Sequence, residues 1–236
     1  MTTLINKTRQ LTLGTTYYNN PEYLSKFIEV NLPHVDELII VDDGSPIKPA
    51  INYIPRDSKI KFYRVMKDYG FNSHGCRNLI MKESSNDWVI LIDIDRRFVR
   101  PAEAYDIFRN RRLSNNTLYK FSAYTEGKPH TIHQSMNEFI VHRDHFMKAG
   151  GYDEEYIGVR TGDRQYFAQL EHYGPIDTIV DVEIELLRRS SLVVKDNFLS
   201  PNDKRESLDA INIVLRRIAK PEPNKKILTF EWERVF

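Results

Sequence analysis

With 236 residues, 41% of them hydrophobic and 28% charged, the chain has the length and composition of a soluble globular protein: one large domain, or a domain with an appendage, whose core needs no covalent staples. The 34 Lys and Arg against 33 Asp and Glu leave a net charge of +1, which argues against wholesale nucleic-acid binding. A single cysteine, Cys76, excludes an intrachain disulfide, and apolar runs of about five residues fall far short of the ~20 that span a bilayer.

The first ten residues, MTTLINKTRQ, lack the apolar stretch of a signal peptide, so the expectation is a cytoplasmic protein. LTLGTT at 11–16 reads as a short strand. Pro21 opens a helix with Leu24, Phe27, Ile28 and Leu32 on one face. Residues 37–42 form a continuous apolar strand ending at Asp42, and Gly44, Ser45 and Pro46 supply the turn. IKFYRV at 60–65 alternates as a strand, and residues 74–84 place Cys76, Leu79 and Ile80 on one helical face. Residues 87–93 are a second buried strand, and Pro101 opens a helix to about Arg111. Such alternation predicts parallel strands in a doubly wound α/β sheet.

Beyond residue 110 the pattern changes. Strands are predicted at 117–123 and 138–142 with a polar, His-containing loop between them, then a helix near 163–172 and a strand near 176–186. SPND at 200–203 is a helix start, and Leu208, Ile211, Leu215 and Ile218 stripe the helix that follows. ILTFEWERVF closes the chain as a strand. This predicts a main domain over 1–186 and a C-terminal extension over 187–236 that packs on it.

Two acidic signatures carry the chemistry. LIIVDDGSP at 38–46 and WVILIDID at 88–95 each put carboxylates at the end of a buried strand. Ligands of open α/β sheets bind outside those carboxyl ends. Asp93 and Asp95, spaced i and i+2, can converge on one hard cation whose shell a diphosphate completes. A carboxylate held in the Asp42-Asp43-Gly44-Ser45 turn can accept from a base N–H or a ribose hydroxyl. Solvated turns would give the same local sequences.

Taken in order, the motifs resemble those of family 2 glycosyltransferases. The chain has Thr16-Tyr17-Tyr18-Asn19 after the first strand and Val41-Asp42-Asp43-Gly44-Ser45 after the next. It has Gly75-Cys76-Arg77-Asn78 where the family has an A-R-N element, then Asp93 and Asp95 as D-x-D. Arg143, Phe146 and Gly150-Gly151-Tyr152-Asp153-Glu154 follow, then Thr161-Gly162-Asp163. The resemblance runs from about residue 11 to 173. It implies a GT-A, Rossmann-like, doubly wound mixed sheet with a helical C-terminal extension.

The same resemblance implies roles. Tyr18 would stack on or edge the nucleobase, Asp43 would bind the base, and Asp42 would support it or meet the ribose. Asn72 and Arg77 would add donor-site contacts. Asp93 would meet the ribose or the metal shell, and Asp95 would ligate the Mn²⁺ or Mg²⁺ that bridges the diphosphate. Asp163 would be the general base of a single in-line, inverting displacement from a nucleotide-sugar, a UDP-sugar by default, to an acceptor hydroxyl. The acceptor could be a saccharide, a lipid-linked saccharide or another hydroxyl compound.

The sequence departs from the family in places. Gly162 stands where the family carries an acidic residue, and Asp163 also fits a helix N-cap. Arg96 and Arg97 follow D-x-D and could grip a diphosphate or pair with surface acids. His172 is the candidate third metal ligand and His133 a candidate acceptor contact. Arg188, Arg189 and the basic residues of 204–226 are read as a solvated face, with a peripheral membrane contact as the functional alternative. Two further classes stay open: a nucleotidyltransferase, against which LTLGTTYYNN lacks a basic phosphate loop, and an inactive nucleotide-sugar-binding relative.

Overall fold

The computed structural model describes residues 8–125, 128–158, 162–187 and 226–236, with 124, 125 and 128–136 described by their backbone. Five strands alternate with three helices over the first 110 residues. They are β1 (Leu11–Tyr17), α1 (Pro21–Asn31), β2 (Glu37–Asp42), β3 (Ile60–Val65), α2 (Ser73–Glu83), β4 (Trp88–Leu91), β5 (Arg96–Phe98) and α3 (Pro101–Asn110). Then come β6 (Leu118–Thr125), β7 (Lys128–His142), α4 (Arg143–Lys148), α5 (Gly162–Leu170), β8 (Ile176–Leu186) and β9 (Trp232–Arg234).

The described strands make one nine-stranded sheet in the order β5-β8-β6-β7-β4-β1-β2-β3-β9. The run β4-β1-β2-β3 is parallel, while β7 joins β4 and β9 joins β3 antiparallel. The predicted mixed, doubly wound α/β sheet is therefore present. Successive side chains of a strand face opposite sides, so two cores form. Leu38 and Ile40 of β2 pack with Leu24, Phe27 and Ile28 of α1 and with Tyr105 and Phe108 of α3. Ile39 and Val41 pack with Leu79 and Ile80 of α2, Phe146 of α4 and Tyr166 of α5.

The strand order reverses at β1: the chain steps from β1 outward to β2 and β3, then returns to place β4 on β1's other side. A crevice at such a switch point is where open α/β sheets bind ligands. The ends of β1, β2 and β4 bring Tyr18, Asp43 and Asp93 to this edge.

Three elements differ from the sequence expectation. The polar loop expected between two strands is mostly strand, because β7 runs from Lys128 and pairs with β6 from Thr125↔Lys128 to Tyr119↔Ile140, with two shifts of register on the way. Its backbone ladder, not apolar alternation, holds it. D-x-D leads within one turn into β5, which pairs antiparallel with β8. Arg143–Lys148 is a helix, α4, whose N-cap His142 accepts from the Asp144 amide at 3.3 Å. Of the C-terminal extension, residues 226–236 are described, and the predicted helix with its Leu208-to-Ile218 stripe lies outside the described residues. No described helix is long and apolar enough to cross a membrane.

Candidate active site

The β1–α1 turn builds the first wall. Asn19, with φ of 50°, turns its side-chain oxygen onto the Ile47 and Lys48 amides at 3.2 and 2.9 Å. Its own amide donates to Ser45 Oγ at 3.0 Å. Tyr17 is buried in the core and donates to the Lys48 carbonyl at 2.6 Å. Tyr18 faces the other way. Its hydroxyl donates to Asp68 at 3.0 Å, and partial burial together with that acidic partner pushes its pKa up to about 12.

Asp42 and Asp43 are adjacent but do different work. Asp42 is fully buried and accepts from the Ser45 and Ala50 amides, both at 2.8 Å. Both its oxygens therefore hold the turn. Gly44 makes that turn possible: its φ is +72°, and a Cβ there would lie 2.7 Å from the Lys67 carbonyl oxygen. Asp43 accepts from the Asn72 amide at 2.7 Å through Oδ2, while Oδ1 has no partner among the described residues. Burial pushes its carboxyl up to about 7, against the pull of the Asn72 amide and the Cys76 thiol.

Asn72 caps α2 with its backbone only; both polar atoms of its buried side chain lack partners. Buried polar groups are normally satisfied. Three orphaned polar atoms on neighbouring Asp43 and Asn72 mark a place where a polar ligand edge would complete the hydrogen bonding.

Arg77 is the hub. It projects from α2, 3% exposed, and donates from Nη2 to Asp93 Oδ1 at 2.6 Å and from Nη1 to Asp163 Oδ1 at 2.8 Å. Nη1 also reaches the Tyr152 hydroxyl at 3.0 Å. Burial alone would lower its pKa, but Tyr152, Asp93, Asp163 and Glu138 around it raise it well above the ordinary value. The guanidinium fork suits two carboxylates at once. The sequence therefore placed Arg77 at the site without revealing that it joins Asp93 to Asp163.

Asp163 lies in the first turn of α5, which begins at Gly162. Its carboxylate reaches out to Arg77, a geometry distinct from an N-cap, and carries its charge near the positive end of the helix. Asp93 is held on its other oxygen by Asn137 of β7 at 3.1 Å. Next to Asn137, Glu138 is fully buried, and neither oxygen has a hydrogen-bond partner among the described residues. Arg96 Nε lies 3.3 Å from it. Burial first, then the Asp93 charge, push Glu138 up to about 8 against the pull of Arg96 and Arg77. The signal for Glu138 was a lone acid entering the apolar run FIV, which the sequence reading passed over.

The two arginines after D-x-D each pair with an acid of the chain, Arg96 with buried Glu138 and the more exposed Arg97 with Glu185. Arg97 donates twice to Glu185 Oε2, at 2.9 and 2.7 Å. Asn78 holds the Gly-Gly-Tyr-Asp-Glu loop through the Tyr152 backbone and Glu154. Glu154 in turn accepts from the Leu228 and Thr229 amides, fastening the C-terminal segment. His172 sits exposed in the turn after α5, and the His133 side chain lies outside the described residues.

Among the described residues, no three His, Cys, Asp or Glu side chains converge as a metal cage. Asp93 and Asp95 are half-buried at the end of β4, with Asp93 hydrogen-bonded on both oxygens. Such a sparse, all-oxygen donor set does not fit a structural transition-metal centre. It fits a hard divalent ion that takes most of its oxygens from substrate phosphates.

The fold is a mixed, doubly wound α/β sheet with carboxylates gathered at its switch point. Among solved structures, the chain is similar to S. aureus TarS 1–349, with a TM-score of 0.61 and 15% identity over 87% of this chain and 65% of that one. It is also similar to a longer S. aureus TarS structure, with a TM-score of 0.60 and 14% identity over 90% of this chain and 40% of that one. The chain thus spans less than two thirds of each. At that identity the likeness establishes the fold. No protein-family model matches the sequence, and no curated protein does.

Proposed function

We propose that the chain is a metal-dependent, inverting glycosyltransferase that moves one sugar from a nucleotide diphosphate sugar, a UDP-sugar by default, to an acceptor hydroxyl. The observation that carries this reading is the joining of Asp93 and Asp163 by Arg77 beside the orphaned polar atoms of Asp43 and Asn72. One side of the site has unmet hydrogen bonds for a base. The other has a carboxylate exposed enough to reach an acceptor.

In this reading the base edge lies on Asp43 Oδ1 and the Asn72 amide, with Tyr18 at its side. Asp95, with Asp93 behind it, would hold Mn²⁺ or Mg²⁺. That ion supplies Lewis-acid neutralisation of the leaving diphosphate. Asp163 takes the proton of the attacking hydroxyl as the new bond forms, a contribution typically worth 10²–10⁴-fold. Arg77 fixes the carboxylate on Oδ1 and leaves a lone pair of Oδ2 for the acceptor proton. The acceptor is a saccharide, a lipid-linked saccharide or another hydroxyl compound.

A panel of UDP-, GDP-, CDP- and dTDP-sugars tests this, read as metal-dependent release of nucleoside diphosphate and as thermal stabilisation. Asp163→Asn should bind donor and fail to turn it over. Turnover equal to wild type in that variant would move the base elsewhere. Stabilisation without turnover in wild type would favour a nucleotide-sugar-binding protein, and the absence of both would reject the reading.

A further inference from the structure

His74, Arg77 and Asn78 share one face of α2, at i, i+3 and i+4, and all three point towards the Tyr152 loop and the start of α5. Arg77 and Asn78 have partners there. His74 is 1% exposed, and neither ring nitrogen has a hydrogen-bond partner of ordinary geometry among the described residues. It is wedged among Phe71, Tyr152 and Tyr156, with ring centroids 5.5, 5.4 and 6.4 Å away. A fully buried imidazole with two unmet nitrogens is costly as mere filling.

Its Nε2 points at the site. It lies 4.0 Å from Asp163 Oδ2, the oxygen that Arg77 leaves open. It also lies against Gly162: a Cβ on residue 162 would come 2.6 Å from His74 Nε2 and 2.8 Å from two ring carbons. His74 and any side chain at 162 therefore compete for one volume.

We propose that His74 is a positioning residue for Asp163, donating Nε2–H to Oδ2 while Arg77 holds Oδ1, so that α2 orients both edges of the carboxylate. This rests on the reading of Asp163 as the base. The 4.0 Å separation is longer than a hydrogen bond, as catalytic contacts often are before substrate closes the site. The proton inventory fits. Burial lowers the His74 pKa, Arg77 lowers it further, and Asp163, Asp153 and the Tyr156 main chain raise it without prevailing. A neutral imidazole has one N–H to give, for which Asp163 Oδ2 and the Tyr156 main chain compete, and giving it to Oδ2 adds no second positive charge beside Arg77.

The test uses the full chain labelled with ¹⁵N-histidine. In wild type between pH 6 and 8, His74 should be neutral with its proton on Nε2, and Asp163→Asn should shift the Nε2–H resonance. A proton on Nδ1, an imidazolium in that range, or a resonance indifferent to Asp163→Asn would each overturn the proposal. In parallel, UDP release from UDP-glucose and UDP-N-acetylglucosamine is measured. His74→Ala should lower kcat by about tenfold to hundredfold, as loss of an orienting partner does, with donor KM and stabilisation by UDP unchanged. His74→Gln should fold where His74→Ala does not, and should recover part of the rate.

If Asp163→Asn is dead and both His74 variants turn over like wild type, the positioning role is wrong and the base assignment stands. If Asp163→Asn turns over, the base assignment fails, and the positioning role with it, whatever the tautomer. If neither UDP-sugar is used, the tautomer and its response to Asp163→Asn decide the contact alone.

Discussion

Arg77 Nη1 and Asp163 Oδ1 meet at 2.8 Å, joining the middle of α2 to the first turn of α5. The same guanidinium holds Asp93 at 2.6 Å, so the end of β4 is tied in as well. Two carboxylates drawn to one place repel unless a counter-charge lies between them. Arg77 is that charge, and its planar fork reaches both. Removing one member of such a buried arrangement leaves the others uncompensated, at a cost of about 3 kcal/mol. Arg77→Met should therefore lower unfolding stability by about 3 kcal/mol. Arg77→Lys keeps the charge but not the fork, and should lose less stability and as much turnover. Urea titration and donor turnover measure the two. A lysine variant with full turnover would show that charge alone suffices.

Asp43 gives the molecule a pH dependence of known sign. Its folded pKa is raised to about 7 from an ordinary 3.8, chiefly by burial. A group whose folded pKa is raised favours the folded state below its unfolded pKa and loses that contribution as pH rises through the folded one. The window is thus about pH 4 to 7, and stability from this group falls across it. Asp43→Asn removes the titration while keeping the shape. The variant should lose part of the wild-type drop in melting temperature between pH 5 and 8. Parallel wild-type and variant profiles would assign that drop to other groups. The variant should also lose discrimination among nucleotide bases, which a competition between UDP and CDP would read.

Glu154 is the fastening of the C-terminal segment. It is buried and accepts from Asn78 Nδ2, the Leu228 amide, the Thr229 amide and Thr229 Oγ1, at 2.7 to 2.9 Å. Leu228 is held at a φ of 60°, which a leucine adopts only when its surroundings compel it. Glu154→Ala would leave these donors unpaired, each at a cost of about 1–3 kcal/mol. Water reaches some of these part-buried donors, so the expected result is a loss equal to about one or two unpaired groups, roughly 3 kcal/mol in urea, and faster proteolysis near residues 226–231. Glu154→Gln keeps an acceptor and should lose less. Equal protease resistance in all three proteins would mean that β9 pairing with β3, not Glu154, secures this segment.

Much of this was legible in the sequence, and the reason differs by element. The strands ending at Asp42 and Leu91 were legible because a strand buried on both faces must be continuously apolar. α1 and α3 were legible because Pro stands at each first position and apolar residues recur at helical spacing. β7 was not, because its first ten residues are mostly polar and its pairing with β6 is written in the backbone. At the candidate site, the family resemblance pointed to Asp43, Arg77, Asp93 and Asp163. Sequence could not say that Asp42 spends both oxygens on its own turn, since that depends on where the Ser45 and Ala50 amides point. Nor could it find His74 or Glu138. Each is a polar residue within an otherwise ordinary element, and its burial is decided by elements distant in the chain.

Asp95 is the residue on which the metal assignment turns. Asp93 is hydrogen-bonded on both oxygens, to Arg77 and Asn137. Asp93→Asn should disturb Arg77 and lower stability without metal. Asp95→Asn should remove the Mn²⁺-dependent part of stabilisation by UDP. At ligand concentrations ~100 times the dissociation constant, that stabilisation is about 2.7 kcal/mol, a readily measured shift. Thermal denaturation of both variants and wild type, with UDP alone, Mn²⁺ alone and the two together, separates these roles. If Asp95→Asn keeps the full Mn²⁺-dependent shift, the ion is held elsewhere. If Asp93→Asn alone loses it, the two acids exchange roles: Asp93 would have to release Asn137 to take the ion, and Arg77 would remain to hold it.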